Sequence, residues 1–162
     1  MKKIYEQYTQ FNLWANQRMV DTFASVTDEQ FNAPIISSFP SVRTTFLHIW
    51  DAEALWLKRL NGISLTDFPS KSFQGGTKDV FDGVLNASKE FADFVAAQSN
   101  DFFETTISFK TISYGEGSQA AYEMVHHCMN HSTFHRGQLI TMGRQLGLEK
   151  FPPTDFVYYL RG

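Results

Sequence analysis

The chain has 162 residues and a formal net charge of −3, with 43% apolar residues, 15% aromatic residues that include sixteen Phe, and 19% charged residues. That is the composition of one foldable domain over 1–162, and it excludes a disordered chain and a general nucleic-acid binder, which needs a concentrated Lys and Arg surface. Every apolar run is broken well short of the ~18–20 residues a membrane span needs, the N-terminal "MKKIYEQYTQ" has no apolar stretch behind its basic residues, and Cys128 has no internal partner, so a cytoplasmic, membrane-free protein is expected.

Four segments carry helical periodicity, separated by connections rich in Pro, Gly, Ser and Asn. The first is expected from about Lys3 to Val26, with Ile4, Tyr8, Phe11, Leu13, Trp14, Met19, Val20 and Phe23 along its apolar stripe. "TDEQF" reads as a cap and a short turn, and Pro34 and Pro40 keep the following connection from becoming helix. Ser41 is the expected N-cap of the second helix, which ends at Asn61-Gly62. Residues 63–76 read as a long loop, and Thr77 opens a third helix that reaches Gln98.

"ETTISFKTISYGEG" differs in character, because its β-branched and aromatic residues suggest two short strands or an extended excursion. Ser118, after Gly117, is the expected cap of the last helix, which runs to Leu146 and stops at Gly147. The tail "FPPTDFVYYLRG" is apolar enough to pack back on the helices. Four helices of ~20 residues at 1.5 Å per residue are ~30 Å long, which fits an all-α four-helix bundle, antiparallel or mixed.

The last helix holds four of the five histidines, His126, His127, His131 and His135. With His131 at zero on a wheel of ~100° per residue, His135 lies at ~40°, among Met124, Cys128, Leu139, Met142 and Leu146, all within ~80°. That is a core-facing stripe, so both imidazoles are expected to point into the bundle. His127 falls at the edge of the stripe and His126 on the far side, as surface or supporting residues. Attachment points one turn apart are ~6 Å from each other, close enough for both rings to meet on one cation. A third ligand has to come from another helix, and His48, in line with Ala52 and Leu55, is the histidine left to supply it.

Three neutral imidazoles suit Zn or Ni, with Fe or Mn as further options, and leave a coordination position open. A metal-bound water with its pKa brought to ~7 is a nucleophile at neutral pH, and a bound thiol is held as thiolate. Each ligand ring needs an acceptor for its other N–H, for which Asp51, Glu123, Gln138 or a backbone carbonyl is available; Gln138, one turn beyond His135, faces the site. Cys128 reads as a small core residue and Arg136, turned away from the stripe, as a structural ion-pair or interface residue. Gly137 is expected to permit close approach of another helix or chain, and Met129, Ile140 and Gly143 to form an outward patch suited to a partner helix.

"NHSTFHRGQL" followed by "LG" resembles the last helix of the DinB-like (YfiT-like) metalloenzymes, whose pattern is His-x-x-x-His-Arg-Gly-Gln. "NLWANQRM" in the first helix, "LHIWDAEALWLKRLNG" in the second and the closing "PPTDFVYYL" extend the likeness over nearly the whole chain. The resemblance implies an up-down-down-up four-helix bundle, commonly a homodimer, with a divalent metal on three histidines that match His48, His131 and His135. Its superfamily includes mycothiol-dependent maleylpyruvate isomerases and bacillithiol transferases.

The resulting expectation is a metal-dependent enzyme for a small-molecule substrate, a thiol-dependent S-transferase using a low-molecular-weight thiol, or a hydrolase. A metal-binding bundle that dimerises without turnover is the alternative, and metal-free acid–base use of the histidines a third. The pocket wall is expected from residues 63–76 and from "TISYGEG".

Overall fold

Three of the four long helices begin where a side chain accepts a free backbone N–H, in a computed structural model that describes residues 1–111 and 115–162. Helix α1 covers Lys2–Phe23. Thr27 and Gln30 then exchange side-chain and backbone hydrogen bonds at 3.0 and 3.1 Å, which makes "TDEQF" the start of a short helix α2, Asp28–Asn32, rather than a turn. Ser41 and Thr44 form the same reciprocal pair at 3.2 and 3.1 Å to open α3, Val42–Leu60, and Gly62 ends it at φ 72°. Helix α4, Thr77–Ala97, opens with the Gly76 N–H donated to Asp79 at 2.8 Å.

The excursion before the last helix is an antiparallel hairpin, β1 Thr106–Thr111 and β2 Gly115–Ala120, with Phe109 opposite Gly117 and Ser108 opposite Ser118. Ser118 therefore lies in a strand and does not cap α5. Pairing continues to Ala120, α5 begins at Ala121, and the Ala120 N–H is taken by Glu123 at 3.1 Å. Helix α5 runs to Gln145, and Gly147 follows at φ 90°. The tail returns through a short helix α6, Phe156–Tyr159, whose Phe156 ring sits 5.0 Å from Phe11 and whose Tyr159 ring sits 5.7 Å from Trp14.

Two apolar clusters set the helix directions. At one end, Met19, Val20 and Phe23 late in α1 meet Val42, Phe46 and Ile49 early in α3, Val80, Phe81 and Val84 early in α4, and Leu139 and Met142 late in α5. At the other end, Tyr5, Leu60, Phe91, Val95, Met124, Val125 and Cys128 come together from the start of α1, the ends of α3 and α4, and the start of α5. The order is therefore up-down-down-up. Helices α1 and α3 each pack against both α4 and α5, so the first two long helices are diagonal neighbours. Fully burying a Phe stabilises by about 1.5–3 kcal/mol, and edge-on pairs such as Phe23 with Phe46 at 5.5 Å and Phe31 with Phe81 at 5.1 Å add to it.

Between the clusters lies a polar layer drawn from all four long helices. Glu53 is fully buried, and its carboxylate accepts from Asn12 at 2.7 Å, Asn16 at 3.0 Å, Ser132 at 2.8 Å and Ser88 at 2.6 Å. Arg136, also buried, donates to the amide oxygens of the same Asn12 and Asn16 at 2.6 and 2.9 Å and to Thr133 at 2.7 Å. Arg136 is thus joined to Glu53 through two amides instead of in a direct ion pair. Burial lowers its pKa to about 10, opposed by Glu53, so it stays cationic. Among the described residues no helix is long and apolar enough to cross a membrane.

Candidate metal centre

His48 on α3 and His131 and His135 on α5 turn their Nε2 atoms toward one point. His131 Nε2 is 2.9 Å from His48 Nε2 and 3.1 Å from His135 Nε2, and the potential ligand atoms of the three residues all lie within 4.8 Å of one another. Residues 83 positions apart meet because α3 and α5 are packed neighbours, His48 standing between Phe46 and Ile49 of the first apolar cluster and His135 one turn before Leu139 of the same cluster. His135 is buried, whereas His48 and His131 are half-buried, so the site is an open face of the bundle rather than a sealed interior cavity.

The hydrogen-bond chain around His135 assigns its tautomer. Gln138 donates its amide NH2 to Ser38 Oγ at 2.8 Å, which turns its carbonyl oxygen to His135 Nδ1 at 2.8 Å. His135 Nδ1 therefore carries the proton, and Nε2 presents a bare lone pair to the cluster. The other two rings are neutral as well: burial, then the neighbouring imidazoles, push His48 down to about 4 and His131 to about 3, and burial lowers His135.

These residues fit a divalent ion. Three nitrogens bonded to one tetrahedral ion at ~2.0–2.1 Å lie ~3.3 Å apart, close to the 2.9 and 3.1 Å seen here. Protons satisfy such a cluster poorly, since His135 Nε2 has none to give, and His131 Nδ1 is buried with no partner among the described residues. Phe39 covers the group, 4.4 Å from the His48 ring and 5.6 Å from the His135 ring. Phe39 and Ser38 had no signal in the sequence beyond their place in the Pro-bounded connection that leads into α3. A cavity of about 260 Å³ opens beside them, lined by Phe39, Pro40, Thr44, Leu47, His48, Asp51 and Ser70.

The other sequence candidates are used elsewhere. The Asp51 carboxylate takes the Ser70 N–H at 2.9 Å and the Ser70 hydroxyl, tying the 63–76 loop to α3, and burial raises its pKa against those bonds. Glu123 is held at the start of α5 by Ala120 and Tyr122. Of the three proposed acceptors, Gln138 meets a ring. His126 packs edge-on to Tyr8 at 5.9 Å, and the His127 ring lies tilted against Trp56 at 4.8 Å. Cys128 is a fully buried thiol of the core, its pKa well raised by burial.

Gly137 faces open space, so no described residue uses the close approach it was expected to allow. Met129 and Gly143 are not an outward patch: Met129 belongs to the second cluster, and the rings of Phe151 and Phe23 lie where a Gly143 side chain would begin, at 2.6 and 2.9 Å. The pocket wall expected from "TISYGEG" includes 112–114, which lie outside the described residues.

An up-down-down-up bundle with three converging imidazoles on one face defines a class of proteins built around a candidate metal site. A family model described as the DinB family matches residues 1–162, and the chain belongs to that family. It is 27% identical over 165 residues to Protein DinB of Bacillus subtilis (strain 168), covering 98% of this chain and 92% of that one. The fold is similar to a DinB-like protein from Bacillus cereus ATCC 10987, with a TM-score of 0.73, 20% identity and coverage of 92% of this chain and 94% of that one. It is also similar to YfiT from Bacillus subtilis, described as a probable metal-dependent hydrolase with an unusual four-helix bundle topology, at a TM-score of 0.69, 11% identity and coverage of 92% and 91%.

Proposed function

We propose that the protein is a divalent-metal-dependent enzyme acting on a small molecule, as a hydrolase or as an S-transferase that takes a low-molecular-weight thiol. The observation that carries this reading is the convergence of three neutral Nε2 atoms on a face open to solvent. A divalent ion there, Zn or Ni ahead of Fe or Mn for three imidazole donors, supplies Lewis acidity and lowers the pKa of a bound nucleophile.

The chain's own residues do the rest. His48, His131 and His135 hold the ion, Gln138 and Ser38 fix the His135 ring, and Phe39 shields one side of the cluster from water. The cavity beside His48 offers room for part of a small substrate, with Phe39 and Leu47 for apolar groups and Thr44 for a polar one. The hydrolase form is supported by the description of YfiT, and the transferase form by the superfamily likeness of the last helix.

The experiment is a metal analysis of tag-free protein, wild type and each of His48→Ala, His131→Ala and His135→Ala, paired with screens for ester, amide and thiol-conjugation turnover. The expected result is about one equivalent of metal in wild type, lost in each variant, with turnover removed by chelation while helix content is kept. Full metal occupancy in all three variants ends the proposal.

A second reading, a metal-binding bundle that dimerises without turnover, is favoured by one feature: Phe134 is 62% exposed on the same outward stripe of α5 as Gly137. A homodimer through that stripe is compatible with either reading. Sedimentation of wild type against Phe134→Ser tests it, and a wild-type monomer at micromolar concentration removes it.

A further inference from the structure

Arg59 is a buried cation without an anion among the described residues. It is 6% exposed, its Nε is buried with no hydrogen-bond partner, and no described residue accepts from the rest of its guanidinium. The group sits in the corner between two rings, its Cζ 4.6 Å from the centre of Trp56 and 4.6 Å from that of Phe109. Those rings meet at 75° with centroids 6.0 Å apart, so they wall the corner in which the guanidinium sits, and its terminal nitrogens, which are not closed off as Nε is, are left as the donors a ligand can reach. Arg136, equally buried, has three side-chain acceptors by contrast. Arg18, which also has an unpaired Nε, is more exposed and lines a cleft on α1 together with Asp21.

The position of Arg59 links it to the histidines. It lies eleven residues after His48 on α3, at ~20° on the wheel and ~16 Å along the axis, so the two share one face of the helix. Between them, Trp56 packs at a tilt against His127 at 4.8 Å, and His127 lies 6.1 Å from His131, ring centre to ring centre. This row of aromatic rings runs from the metal centre toward the hairpin and ends at the unpaired guanidinium.

We propose that Arg59 is the anion-binding residue of this enzyme's substrate site, holding a carboxylate at the far end of an elongated substrate or co-substrate whose reactive group lies at the three histidines. A carboxylate is the matching anion because it is planar and can accept two in-plane hydrogen bonds from one guanidinium edge beside the two rings. The apolar floor of Trp56 and the His127 ring suits the connecting part of such a molecule. The substrate assignment rests on the metalloenzyme reading, but the binding of an anion at Arg59 is independent of it.

The test uses metal-free protein. Succinate and inorganic phosphate are titrated into wild type, Arg59→Gln, Arg59→Lys and Lys150→Gln, which removes an exposed cation, at ionic strength matched with chloride, read by calorimetry and by tryptophan emission, for which Trp56 is a built-in reporter. Saturable succinate binding is expected in wild type, with loss of ~10-fold or more in affinity in Arg59→Gln and several-fold in Arg59→Lys, which keeps the charge but not the fork. Should Arg59→Gln fail to fold, the Arg59→Lys titration decides. Lys150→Gln is expected to bind succinate as wild type does, and because every titration is made without metal, a failure of the metal site leaves this result standing.

Absence of saturable succinate binding in wild type, equal affinity in the Arg59 variants, or an equal loss of binding in Lys150→Gln overturns the proposal, and phosphate bound more tightly than succinate overturns the carboxylate assignment.

Discussion

Acidification of the metal-free protein provides a sharp test of how the histidines are held. His48 and His131 have pKa values near 6.5 in an unfolded chain and about 4 and about 3 in the fold, lowered by burial and by each other. Above about pH 6.5 both states are neutral and there is no cost. As pH falls from there toward the folded values, the unfolded chain takes up protons the native state refuses, so stability is lost. Between pH 6.5 and 5 each histidine costs about 1.6 kcal/mol by proton linkage, about 3 kcal/mol for the pair and about 2 once solvent screening of these half-buried rings is allowed for.

The assay is urea unfolding of chelator-treated protein at the two pH values, wild type against His48→Asn/His131→Asn. Wild type is expected to lose about 2 kcal/mol more than the double variant over this window. An equal loss in both refutes the claim that the rings are kept neutral by the fold.

Gln138→Leu removes the acceptor of His135 Nδ1 and is expected to weaken metal binding about 10–100-fold, measured by competition with a chromogenic chelator. Asp51→Asn, by contrast, is expected to leave metal affinity unchanged while speeding proteolysis within residues 63–76, because Asp51 anchors Ser70 and not a ring. Arg136→Met leaves the fully buried Glu53 without its counter-charge and is expected to cost about 3–5 kcal/mol in urea unfolding, and the loss should shrink when Glu53→Leu is combined with it.

The helical wheel on α5 was informative because burial follows angle there: His131, His135, Cys128, Leu139 and Met142 share a side, and α3 brings His48 to the first two. The same wheel misjudged the opposite side. Arg136, Met129 and Gly143 look outward on one helix in isolation, yet α5 packs on α1 as well as α3, and the returning tail adds Phe151. Asn12 and Asn16 gave no sign of their role, since a mid-helix asparagine becomes a bridge only when Glu53 and Arg136 arrive from segments 37 or more residues away. Ser118 had the chemistry of a cap, but strand pairing with Ser108 claimed its backbone first. In the sequence Arg59 carries no signal beyond its place as a cation near the end of α3, and the placement of Phe109 from the hairpin shows it enclosed, with no acceptor among the described residues.

The most direct test of the metal centre is a calorimetric titration of Zn or Ni into chelator-treated wild type and into His48→Ala, the variant that removes the single ligand contributed by α3. One site per chain in wild type, with affinity falling at least ~100-fold in His48→Ala while the far-ultraviolet spectrum is unchanged, is the predicted result. Equal affinity in the two proteins would show that any ion bound is not held between the two helices, and would contradict the account.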